Sequence, residues 1–146
     1  MRTRVLTLLT MASIPLFGGC ASMNSQPSIE NAAIEPALLM PGSVAVLTVD
    51  LSDRFGIVDR VVGHVKQDPS ITFRLRDDGV APDEAEADGV WTFEYAVPFT
   101  APPGAFDLVI SAQDSAGDLI LVRDGEGEAR SMATELGVEI RFPETQ

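Results

Sequence analysis

The residues of this chain best suited to chemistry are four aspartates in the stretch 75–92, LRDDGVAPDEAEADGVWT: Asp77, Asp78, Asp83 and Asp88. Their carboxylates, together with carbonyls of the same loop, offer the hard oxygens that Ca²⁺ binds six to eight at a time. The spacing differs from an EF-hand loop, which needs D-x-D-x-D-G and a closing glutamate. The same aspartates also have a purely local role, bonding their own turn amides while Gly79 and Gly89 supply unusual backbone angles. Asp50, Asp53, Asp114 and Asp118, in other loops, are weaker calcium candidates. Other chemistry is thinly provided. His64 is the one histidine, and catalytic zinc wants several His or Cys ligands. Ser52, Ser111 and Ser115 lie in no G-x-S-x-G setting and have no evident base. Carboxylates for glycoside hydrolysis are so abundant that no pair stands out. No phosphate loop or nucleotide fingerprint is present.

The elements that must position these aspartates are short apolar runs broken by Pro, Gly and Asp. They cover residues 34–40, 43–51, 57–65, 71–75, 89–97, 105–113, 119–122 and 138–142. In the second, Ala45, Leu47, Val49 and Leu51 alternate with Val44, Val46 and Thr48. Ile71, Phe73 and Leu75 do the same, as do Trp91, Phe93, Tyr95 and Val97, and then Phe106, Leu108, Ile110 and Ala112. Period-two alternation at this spacing predicts an all-β domain with one face of each sheet buried. About seven strands over 34–142 suit a two-sheet sandwich, with a closed barrel as the competing architecture. The stretch 128–136 (EARSMATEL) has helical propensity and is expected as an irregular excursion, one helical turn at most. Trp91 and Tyr95 would form a sugar-stacking platform if exposed, but sharing a face with Phe93 and Val97 favours core packing.

The amino terminus carries Arg2 and Arg4, then an uncharged apolar stretch 5–17, then Gly18, Gly19 and the single cysteine, Cys20. That order is a secretory signal, too short to span a bilayer as a helix of about 20 apolar residues. Ending directly on a cysteine, it resembles the lipobox of bacterial lipoproteins, with Phe17 where leucine is usual. The resemblance implies cleavage after residue 19, lipidation of Cys20, and anchoring in the bacterial envelope. Ala21 lacks the aspartate that favours inner-membrane retention, so the outer membrane, facing the periplasm, is expected. Residues 20–33 then form a lipidated cysteine and a flexible linker, and 143–146 a short tail.

Cleavage leaves 127 of 146 residues, enough for one domain with a real core. They carry 8 basic and 22 acidic side chains, a formal charge of −14. Such a surface repels phosphate, so nucleic acid is excluded as a partner, and anionic headgroups are repelled unless a cation intervenes. With one cysteine no disulfide can form within the chain.

The DDG turn, the further aspartate, the DG step before an aromatic strand, and the segment PFTAPPGAFDLVISAQDSAGD at 98–118 together resemble the immunoglobulin-like or fibronectin-like sandwich modules of bacterial surface proteins. The resemblance implies a structural or binding module. In an immunoglobulin-like order the B–C, D–E and F–G loops gather at one pole. That pole would hold Asp50, Asp53, Asp77, Asp78, Asp83, Glu84, Glu86, Asp88, Asp114 and Asp118, opposed within these loops by Arg54 alone. A bound cation would relieve that concentration of like charge. The expectation is a lipid-anchored, non-catalytic module, stabilised by calcium, that binds an envelope protein or polymer. A carbohydrate-binding module and a small hydrolase are the alternatives.

Overall fold

A computed structural model describes residues 26–142. The segment 1–19 expected as a signal, Cys20 and the tail 143–146 lie outside the described residues. The described chain is all-β, with ten strands and no helix: β1 Ser28–Glu35, β2 Leu38–Leu39, β3 Val44–Ser52, β4 Arg60–Val65, β5 Asp68–Arg74, β6 Val90–Ala96, β7 Gly104–Gln113, β8 Leu121–Arg123, β9 Ala129–Ser131 and β10 Ala133–Ile140. One sheet has the order β1-β3-β6, the second β2-β10-β7-β4-β5, and β8-β9 is a separate hairpin. All neighbours are antiparallel except β2, which runs parallel to β10. This is an immunoglobulin-like sandwich in which β1, β3 and β6 are the A, B and E strands, and β4, β7 and β10 are C, F and G.

Three features depart from the sequence expectation. The strand count exceeds seven because the first strand breaks at Pro36 and passes from one sheet to the other, and because the β8–β9 hairpin is inserted between β7 and β10. Strand β1 begins at Ser28, inside the segment expected as linker, because Ile29, Ala32 and Ile34 pack against the core. The stretch 128–136 holds strand β9, a bend at Met132 and the start of β10, not a helical turn. Met132 is buried, donates its N–H to the Ile120 carbonyl at 2.7 Å and accepts from Ala112 at 3.1 Å, and these tertiary bonds override local propensity.

The inward row of β3, Ala45, Leu47, Val49 and Leu51, is buried as the alternation requires. Leu47 and Val49 pack with Val61 of β4, Leu75, Ile110 of β7 and Met132, joining the two sheets. A second buried cluster, Leu39, Ala45, Val97, Ala101, Val138 and Ile140, fills the opposite end. Strand β5 belongs to the sheet of β4, and the chain leaves it abruptly. Leu75 donates to Val61 in one sheet at 3.0 Å, while Arg76 exchanges bonds of 2.8 and 2.7 Å with Thr92 in the other. Thr92, on the face expected to be wet, is thereby covered.

Leu47 has almost no exposed surface and touches both layers. Leu47→Ala should therefore lower the unfolding free energy by about 2–5 kcal/mol. Urea denaturation measures it, and a loss below about 1 kcal/mol would mean that the two sheets do not share this core.

Candidate calcium site

The register places the acidic loops after β3, β5 and β7 at one pole. Asp50 of β3 lies opposite Val90 of β6, Arg60 of β4 opposite Gln113 of β7, Arg74 of β5 opposite Val62, and Ala133 of β10 opposite Ser111. The loops after β3, β5 and β7 thus leave from the same end, which β1 also enters, since Ser28 pairs with Ser52. Arginines from outside those loops reach this pole too. Arg60 pairs with Asp59 at 3.1 Å, and Arg76 with Asp78 at 3.4 Å. Arg54 lies over the Phe55 ring, 5.9 Å from its centroid.

Residues 77–89 form a closed loop. Asp77 accepts from the Asp88 and Gly89 amides at 3.2 and 3.1 Å, joining the two ends of the loop. Gly79 and Gly89 adopt positive φ, as the turn chemistry predicts, and a Cβ at Gly89 would stand 2.7 Å from the Leu51 carbonyl oxygen. Inside the loop, Asp83 is only 4% exposed. Its Oδ2 accepts from the Gly79 amide at 2.6 Å, and its Oδ1 is buried without a hydrogen-bond partner. One oxygen from each of Asp77, Asp83 and Asp88 lies within 4.8 Å of the other two. Two oxygens held by one Ca²⁺ at about 2.4 Å are at most about 4.8 Å apart, so the three carboxylates can share an ion. Loop carbonyls and water would complete the six to eight ligands.

The remaining candidates go elsewhere. Asp78 points out of the cluster: Oδ1 accepts from Val80 at 3.0 Å and Oδ2 faces Arg76. Asp53 caps the β3–β4 turn through the Phe55 and Val58 amides, at 3.3 and 2.7 Å. Asp114 Oδ1 holds the turn after β7 through Ala116 and Asp118, at 2.9 and 3.0 Å. Asp118 enters that turn through its backbone, its carbonyl accepting from Asp114 at 3.0 Å. Asp50 lies on β3 with Asn31 donating to it at 3.4 Å. For these five the local role is the one the structure gives. Nothing in the sequence distinguishes buried Asp83 from Asp77, Asp78 and Asp88.

His64 is half-buried on β4, opposite Val109 and Thr72. Trp91 and Tyr95 are both half-buried and do not share an open platform. Trp91 packs on the core beside Asp77, whereas Tyr95 faces a cavity between the sheets.

No family model matches the sequence, and no curated protein does. Among solved structures, a Niemann-Pick type C2 protein from the Japanese carpenter ant gives a TM-score of 0.48 at 13% identity, over 82% of this chain and 96% of that one. The alkylpurine DNA glycosylase AlkC of Pseudomonas fluorescens, bound to DNA containing an abasic site analog, gives 0.45 at 14% identity, over 82% of this chain and 31% of that one. Neither likeness bears on function.

Ala87, in the same loop, is the one described non-glycine residue with positive φ, at 58°. Ala87→Gly should stabilise the fold by roughly 1 kcal/mol, and Gly79→Ala (φ 66°, with the Glu86 amide nitrogen 2.9 Å from a new Cβ) should destabilise it by at least as much. Thermal melts of the two variants should shift in opposite directions.

Proposed function

We propose that this chain is a non-catalytic module of the bacterial envelope, anchored by lipid at Cys20 in the outer membrane facing the periplasm. Calcium at Asp77, Asp83 and Asp88 holds its acidic pole in shape, and it presents its surface to an envelope protein or polymer. The observation that carries the calcium reading is Asp83. A carboxylate at 4% exposure with one oxygen unpartnered is costly to keep unless a cation completes it. Its two neighbours in the cluster bring two more negative charges to the same point. Ca²⁺ fits this all-oxygen set better than zinc, which prefers nitrogen and sulfur. What such an ion would supply is rigidity, since it would tie the middle of the 77–89 loop to both its ends.

The lipid-anchor part of the reading rests on the order Arg2, Arg4, apolar 5–17, Gly18, Gly19, Cys20. The described chain enters at the acidic pole, so an anchor there would bring that pole nearest the membrane. Calcium would then also lessen repulsion between the pole and anionic headgroups.

Calcium at a hundred times its dissociation constant should stabilise the fold by about 2.7 kcal/mol. Asp83→Asn should abolish that gain while leaving the protein in chelator no less stable, because it removes a buried unpaired charge. Equal melting temperatures in saturating calcium and in chelator would end the calcium reading. Labelled palmitate supplied to expressing bacteria should enter the wild-type chain and not Cys20→Ala; equal labelling of the two would end the anchor reading. Pull-down of envelope extract, with and without chelator, identifies the partner and whether calcium shapes the surface it uses.

A further inference from the structure

Between the two sheets, at the end away from the aspartates, lies a cavity of about 490 Å³. Its wall is hydrocarbon from both layers: Leu47 and Phe93 from one, Phe73, Leu108, Val138 and Ile140 from the other. Protein interiors are close-packed, and voids larger than a water are few. This one equals on the order of 16 waters at about 30 Å³ each. Water inside would face apolar surface on most sides, whereas a buried water needs two to four polar partners.

The sheets are held apart here by packing at both ends of the cavity. On the side toward the aspartates, Phe73 of β5 stacks on Phe93 of β6 with centroids 5.3 Å apart and planes 18° from parallel. At the far end stand Leu39, Val97, Ala101 and their cluster. The β1–β10 side is closed by β2, which follows β1 in the chain but pairs with β10. On the β5–β6 side no further strand covers the gap among the described residues. The exposed lining residues, Gln67, Asp68, Ile71, Pro98, Thr100 and Pro102, mark a mouth between the β4–β5 turn and the β6–β7 loop.

We propose that this cavity binds one acyl chain carrying an uncharged, hydroxyl-bearing head, the chemistry of a monoacylglycerol. An alkyl chain has no hydrogen bonds to lose on entering a hydrocarbon-lined space, whereas a polar ligand would leave its groups unpaired. The mouth selects the head. Asp68 is the one charged side chain in the lining among the described residues, and it repels a carboxylate or phosphate. It is already satisfied by the Ser70 amide and hydroxyl at 3.1 and 2.6 Å. Lys66, the nearest cation in sequence, is held by Glu135 at 2.8 Å, and that hydrogen bond and charge raise its pKa above the ordinary value. Gln67 is tied to Asp107 through both ends of its amide, at 3.0 and 3.1 Å. Thr100 and Tyr95 also line the space, and each carries a hydroxyl of the kind that pairs with a glycerol hydroxyl. This proposal is independent of the calcium reading.

The test is calorimetric titration of the full 146-residue chain with 1-monolauroylglycerol and, separately, with dodecanoate, each below its aggregation concentration. Two variants narrow the space from different places, Ile71→Trp at the mouth and Val65→Trp on the wall, with thermal melts confirming that each folds. The expected result is saturable one-to-one binding of the monoglyceride, weaker binding of dodecanoate, and a loss of at least roughly tenfold in affinity in each variant. A wild-type chain that takes up neither ligand overturns the proposal. So does monoglyceride binding unchanged in both variants, since that uptake lies outside the cavity, in the apolar 5–17 segment for instance. Dodecanoate binding tighter than the monoglyceride overturns the uncharged head.

Discussion

The step at residues 75–76 is the constraint on which the rest of this molecule depends. Leu75 is bonded to β4 in one sheet and Arg76 to β6 in the other, so two consecutive residues clamp the free edges of the sandwich together at the acidic pole. Leu75 has no exposed surface, which makes the clamp part of the core rather than a surface link. Everything after it follows from geometry. The chain must travel from Arg76 to the start of β6 beside it, so residues 77–89 are forced into a loop returning nearly to its origin, and Asp77 comes to face Asp88. At the other end nothing comparable among the described residues joins β5 to β6, and the same edges separate around a cavity. One crossing therefore accounts for a tight, charged end and an open, apolar end.

The tight end brings like charges together, and a solvated pole would normally spread them. Three of the acids here do so by serving turns: Asp53, Asp78 and Asp114 each accept backbone amides within a few residues. Such bonds satisfy the carboxylate oxygens without requiring a partner ion. The cluster of Asp77, Asp83 and Asp88 differs because one member is buried with spare acceptor capacity. That asymmetry singles this cluster out among the acids of the pole.

Much of the fold could be read from alternation, and the failures are as instructive as the successes. Central β3 shows a clean two-residue period because one face packs on the core and the other does not. Edge strand β5 shows the same period, yet Ile71 is 46% exposed, since the edge hangs over the cavity mouth. Strand β1 was hidden by its composition: two isoleucines among alanine, asparagine and glutamate bury little area, and the pairing with β3 supplies what the side chains do not. Residues 128–136 misled because local propensity says nothing of the Ile120 and Ala112 partners that Met132 finds. For the site, the DDG and DG steps revealed the loop, but only the folded chain separates Asp78, turned toward Arg76, from buried Asp83. The cavity left no local mark at all, because its lining is contributed by most of the strands in the sandwich.

Strand β1 enters at one pole, and β10 ends at the other, with Ile140 beside Gly104 at the start of β7. A pull on the two ends of the described chain therefore runs along these strands rather than across them. The antiparallel bonds between β1 and β3, spread over seven residue pairs from Ser28 to Glu35, lie perpendicular to that line. They would be sheared together, not peeled apart one after another, and a domain loaded in this way resists extension until the whole ladder yields.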